Sequence, residues 1–190
     1  MQKQTILGKT NTNKIFNVAT DKKNVVCPPD QVFVRTDFDF LLTIGGDLIT
    51  DENEYEALKH LLERIGETEF YALENIGATL TERETAFKTT IKLNGDYKTF
   101  QEKVREFSPP FGWMANHFFI FGQKESWGIY VCEYPTINIV GCDRILSNDF
   151  RQIFSINGNG YEDLKEFIRK EHQANPNLFD ELTKQYRLGS

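Results

Sequence analysis

Asp37 and Asp39, with Asp47 just after Gly45-Gly46, come nearest in type and spacing to a site for a hard cation. Two aspartates at i and i+2 of a strand share a face about 7 Å apart, close enough to hold one cation with a third oxygen ligand. Such a site would serve a metal-dependent enzyme acting on a phosphate-containing substrate. Against it, the chain has no phosphate-cradling glycine loop, and both aspartates equally fit the start of a strand facing water. His117 and Cys132 suggest a different chemistry, a thiol nucleophile beside an imidazole base. Whether they meet depends on strand register. Pairing Phe121 with Trp127 sends them to opposite faces, and a slip of one residue brings them together. His60 and His172 lack metal-ligand spacing, and nothing resembles paired Cys-x-x-Cys sites. Gly158-Asn159-Gly160 lacks the third glycine and the preceding strand of a dinucleotide fingerprint. The expectation is a chain with no catalytic constellation and no cofactor.

Residues suited to recognition are easier to find. Trp113, Trp127, Tyr130 and Tyr134 cluster around one aromatic stretch, and aromatic side chains flanked by charge make protein-binding hot spots. Trp113, Trp127 and Tyr134 are therefore candidate binding residues, with core packing the competing explanation for Trp127 and Tyr130. Glu52, Glu56 and Glu63 share the outer face of one helical segment and could engage a basic partner, although such a run also fits an ordinary solvated face. The net charge of −6, from 22 basic and 28 acidic residues, disfavours nucleic acid and suits a basic protein partner.

The elements that must position these groups follow from periodicity. His117 to Asp143 reads as a β-meander whose strands are apolar on both faces, so both faces need cover. Upstream, Phe38–Ile44 is a strand, Asp51 to Ile65 a helix with Tyr55, Leu58, Leu61, Leu62 and Ile65 inward, and Glu69–Glu74 and Thr85–Leu93 two more strands. Asp96 caps a second helix carrying Tyr97, Phe100, Val104 and Phe107. The order β-α-β-β-α-β matches a ferredoxin-like split unit. An Asp-x-Asp at the first strand of such a unit is similar to polymerase and cyclase palm domains. Helices at about Ser147–Phe154 and Tyr161–His172 and an amphipathic segment with Leu178, Phe179, Leu182 and Tyr186 would cover the second face. Residues 1–31 read as an arm with short candidate strands at Lys14–Val18 and Asn24–Cys27.

The expected architecture is one α+β domain over residues 1–190. Residues 1–31 form the arm, 32–143 a mixed, largely antiparallel sheet with two helices, and 144–187 the C-terminal helices. No run reaches the apolar length of a membrane span, the N-terminus lacks the apolar core of a signal peptide, and three cysteines at unrelated spacings suit a reducing compartment. A cytoplasmic chain with no membrane partner is expected.

The phrase FFIFGQKESWGIYV joins an apolar strand, a glycine-led polar turn, and Trp-Gly opening a second strand. Over about Phe118 to Asp143 it resembles the sheet signature of the Smi1/Knr4-like (SUKH) proteins. Many members of that superfamily are bacterial immunity proteins that neutralise intracellular toxins. The resemblance implies a non-catalytic binder, and the acidic balance would suit a basic toxin such as a nuclease.

Overall fold

The computed structural model describes residues 8–18, 26–45, 52–78, 86–105, 117–132, 136–156 and 160–188. In chain order the elements are α1 (Gly8–Ile15), β1 (Asp39–Ile44), α2 (Glu52–Arg64), β2 (Glu69–Glu74), β3 (Lys88–Lys92), α3 (Tyr97–Arg105), β4 (His117–Gly122), β5 (Trp127–Cys132) and β6 (Ile137–Cys142). A 3-10 turn at Arg144–Leu146 leads into α4 (Ser147–Ile153), followed by α5 (Gly160–Glu171) and α6 (Leu178–Tyr186). The fold is α+β, and the β-α-β-β-α-β order appears between β1 and β4.

The strands form a six-stranded sheet in the order β1-β6-β5-β4-β2-β3. Every described pair is antiparallel, so the sheet is not mixed. The split-unit pairing is also absent. In a ferredoxin-like unit the first strand lies inside the sheet, whereas here β1 sits at an edge and pairs with β6. The meander wins that position because β6 is buried along its whole length and must be flanked on both sides.

Within the meander, Phe121 lies opposite Gly128 and His117 opposite Cys132, one residue away from the expected register. His117, Phe119, Phe121, Gly128, Tyr130 and Cys132 therefore share one face, and Ile120, Trp127, Ile129 and Val131 the other. The cause lies outside the hairpin. Buried Glu67 accepts the backbone N–H groups of Gln123 at 2.8 Å and Lys124 at 3.0 Å, which fixes where the turn begins. Gly122 makes room for this, since a Cβ there would stand 2.6 Å from Trp127 Nε1. In the second hairpin Cys132 lies opposite Ile137.

Each face of the sheet has its own cover. On one, Leu41, Phe70, Ile120, Trp127, Ile129 and Val140 pack beneath Tyr55, Leu58, Leu61 and Leu62 of α2, Phe100 of α3 and Phe150 of α4. On the other, Phe40, Leu42, Phe119, Phe121, Tyr130 and Ile139 pack beneath Leu164 and Ile168 of α5, Leu182 and Tyr186 of α6, and the N-terminal arm. Of the C-terminal helices, α5 and α6 take this second face, while α4 joins α2 on the first.

The arm differs most from expectation. Lys14 and Ile15 end a helix where a strand was expected, and Phe16 just after it forms an isolated bridge with Phe33, which lies beyond the arm. Asn24 and Val25 lie outside the described residues. Phe16 and Phe33 are each 1% exposed, and each rests over a glycine of the sheet. Those glycines, Gly128 and Gly141, are directly paired on β5 and β6. A Cβ at Gly128 would meet Phe16 Cζ at 2.6 Å, and one at Gly141 would meet Phe33 Cε1 at 2.7 Å. The glycine pair makes a flat floor, and burial of the two rings on it contributes roughly 2 kcal/mol apiece.

Candidate functional site

Of the carboxylates proposed for a cation, Asp37 is already engaged. Asp37 lies in the turn before β1, where Arg35 grips it with Nε to Oδ1 and Nη2 to Oδ2, both at 2.7 Å. This fork holds the Asp37 carboxyl below the usual carboxylate range. Arg35 also reaches Asp143 Oδ1 at 3.0 Å and the Glu125 carbonyl at 3.1 Å, tying the arm to the far ends of the β4–β5 turn and β6. Asp39 opens β1 opposite Cys142, and Asp47 lies outside the described residues. Among the described residues no group of three or more His, Cys, Asp or Glu side chains could hold a metal ion.

The observed register places His117 and Cys132 on one face, directly opposite each other. The neighbour that organises His117 is Tyr130. Asn75 Nδ2 donates to Tyr130 Oη at 3.0 Å and to the Val26 carbonyl at 3.0 Å, and Tyr130 Oη lies 3.2 Å from His117 Nδ1. With Asn75 donating to the hydroxyl, Tyr130 can in turn donate to Nδ1 in the tautomer that carries the imidazole proton on Nε2. Burial lowers the His117 pKa to about 4, so the ring is neutral near pH 7. Burial raises the Tyr130 hydroxyl well above its ordinary value and raises the Cys142 thiol to about 12. The three cysteines are free thiols. Tyr130 is 0% and Cys132 1% exposed, which leaves no approach for a substrate. This is an interior network of neutral groups that fixes side chains in place.

Trp127 is a core residue and no docking anchor. It is wholly buried, with its ring 6.4 Å from that of Phe70 and 6.0 Å from that of Phe150. Tyr130 is buried with it, while Trp113 and Tyr134 lie outside the described residues. The described aromatic residues of the meander go into packing.

Glu52, Glu56 and Glu63 do stand together on the outer face of α2, spaced four and seven residues apart, which aligns them along one ridge. Glu52 and Glu63 are exposed and Glu56 is half-exposed. Lys59 Nζ lies 3.6 Å from Glu56 and also donates to the Gly95 carbonyl at 3.1 Å, so it is drawn toward α3. Beside the ridge runs a cleft of about 710 Å³ between α2 and α4. Ala57 and Leu61 line it from α2 and Ile153 from α4, with His60, Arg64 and Asp149 among its polar residues. Arg64 Nη2 and Asp149 Oδ2 form an ion pair at 2.7 Å that joins the two helices.

The α4 half of this cleft was not anticipated from sequence, because nothing local to α4 says that it will lie against a helix nearly a hundred residues earlier. The polar roles of Glu67 and Asn75 were likewise missed. Their only sequence signal is a polar residue next to an otherwise apolar strand. Among the described residues no helix is long and apolar enough to cross a membrane. No protein-family model, curated protein or solved structure matches this chain.

Proposed function

We propose that this chain is a cytoplasmic protein-interaction module, an immunity-type inhibitor that binds and neutralises a basic protein toxin and has no catalysis of its own. One observation carries the reading. The chain's own helices and arm cover both faces of the sheet, while Glu52, Glu56 and Glu63 stand on the outer face of α2, with Lys59 3.6 Å from Glu56. An acidic surface favours encounter with a cationic partner. The resemblance of the Phe118–Asp143 stretch to Smi1/Knr4-like proteins points the same way, as do three free thiols in the choice of compartment.

The test is a search beside this chain's gene for a basic toxin, followed by protection of growing cells against it and titration calorimetry on the purified proteins. A one-to-one complex that weakens with added salt and with Glu56→Lys and Glu63→Lys supports the proposal. Absence of both complex and protection would refute it. Stabilisation by Mg²⁺ or Mn²⁺ that Asp39→Asn abolishes would favour the rival metal-dependent enzyme.

A further inference from the structure

The two edges of the sheet are finished differently. Gly45 N–H bonds to the Thr136 carbonyl at 2.9 Å, so in β1 the backbone groups of Asp39, Leu41 and Thr43 turn toward β6, and those of Phe40 and Leu42 turn outward. Phe40 and Leu42 are 8% and 1% exposed, so that edge is covered. The β3 edge is not. Leu93 N–H bonds to the Thr68 carbonyl at 3.0 Å and Glu74 N–H to the Phe87 carbonyl at 2.8 Å. Residues 87, 89, 91 and 93 therefore bond inward to β2, and Lys88, Thr90 and Lys92 carry their N–H and C=O groups on the outside. Lys88 and Lys92 are exposed and Thr90 is half-buried. Of these outward groups the Lys92 carbonyl has a partner in the turn, the Gly95 N–H at 3.2 Å. A row of this kind is a template for a further strand.

A second copy adding its own β3 would run antiparallel about a two-fold axis, the symmetry of a closed dimer. The register that uses all three outward residues sets Thr90 opposite Thr90 of the second copy, and Lys88 opposite Lys92 of the second copy. A slip of two residues either way gives up part of the ladder, because Lys92 then meets Ala86, or Lys88 meets Asn94 in the turn. Lys88 and Lys92 stand on one face of the sheet, since strand side chains alternate. The full register therefore brings like charges directly opposite each other at both of its ends, which is destabilising. Glu69, paired with Lys92, offsets one lysine of each copy and leaves the seam positive. We propose that the β3 edge can pair with a second copy of this chain and is kept from doing so by Lys88 and Lys92. The backbone is ready to pair, and the two ammonium groups hold the copies apart until their charge is removed. This device stands independently of the inhibitor reading.

The test uses the full chain in sedimentation velocity over a concentration series, with amide hydrogen exchange at residues 88–92 to locate any association. The parent is expected to show no pairing through β3. Lys88→Thr with Lys92→Thr is expected to self-associate about tenfold more tightly than the parent and to slow exchange at residues 88 and 90. Lys88→Glu, which makes each cross-pair opposite in charge, is also expected to dimerise, and added salt to weaken that dimer. Thr90→Pro, added to the double lysine variant, removes an outward N–H that the fold does not use and is expected to restore the monomer. Lys98→Thr with Lys184→Thr makes the same change in net charge away from the edge and is expected to remain monomeric. Both edge lysines are exposed, so their replacement spares the core, and an unchanged melting temperature checks that. A double lysine variant that stays monomeric, an association indifferent to Thr90→Pro, equal association of the Lys98→Thr and Lys184→Thr control, or a parent already paired through β3 would overturn the proposal.

Discussion

His117 makes stability depend on pH in a window where few other groups titrate. Its folded pKa is about 4, against an ordinary value of 6.5, because burial penalises the charged ring. The unfolded chain therefore binds the proton more readily, and stability present above pH 6.5 is lost as pH falls toward 4. With those two values, lowering the pH from 7.5 to 5.0 costs about 2 kcal/mol through this one side chain. The control is His117→Gln, whose amide oxygen can still accept the Tyr130 hydroxyl but does not titrate. Urea denaturation of both proteins at the two pH values gives the test, and groups common to both cancel in the difference. The stability of the parent relative to His117→Gln should fall by about 2 kcal/mol between pH 7.5 and 5.0. A relative stability constant to within about 0.5 kcal/mol would refute the assignment of His117 as a neutral ring paired with Tyr130.

Other positions give sharp expectations of different sign. Gly128→Ala drives a methyl group into Phe16 Cζ at 2.6 Å and Ile15 Cγ2 at 2.8 Å, and should cost about 1–3 kcal/mol in denaturant unfolding. Parent-like stability would show that the arm does not rest on the glycine floor. Asn138 is 1% exposed and neither polar atom of its amide has a hydrogen-bond partner, so Asn138→Leu should raise the urea midpoint by an amount worth about 1–2 kcal/mol. A lower midpoint would mean that the amide is satisfied in solution, for instance by a buried water. Glu67→Gln keeps one acceptor for the turn amides and turns an NH₂ group on the other. It should cost about 2 kcal/mol and hasten hydrogen exchange at Gln123 and Lys124, and unchanged exchange there would refute the anchoring of the turn.

What could be read from sequence was what is decided within a few residues. The stripe Tyr55, Leu58, Leu61 and Leu62 specifies α2, and Asp96 Oδ1 caps α3 by accepting the Thr99 N–H at 2.8 Å. Alternating burial along β2 matches the polarity of Glu69 to Ala72 and departs from it at the end, where Leu73 is half-buried and Glu74 buried. The requirement that both meander faces be covered was equally legible, because no strand there alternates with polar residues. What stayed hidden was set at long range. The register of β4 and β5 was missed because Glu67, fifty-six positions from Gln123, decides where their turn begins. The edge position of β1 follows from its pairing with β6, which no local pattern announces. The arm misled because residues 8–15 carry weak helical propensity and take their shape from burying Ile15 and Phe16. For the recognition surface, the glutamates of α2 were visible as an amphipathic face, while Trp127 looked like an anchor because composition does not say which aromatic rings end up inside.

Tyr186 links the late part of the chain to the early part. Its hydroxyl donates to the Asp30 carbonyl at 2.6 Å and accepts the Val32 N–H at 3.2 Å, across 156 positions of sequence. During synthesis, then, the arm and β1 emerge from the ribosome long before the segments that hold them in place. Until α6 is released, the aromatic side of the nascent sheet stays uncovered and open to chaperones or to other unfinished copies. The fold therefore closes only once α6 has been made, in a slow step because its defining contacts are remote in sequence.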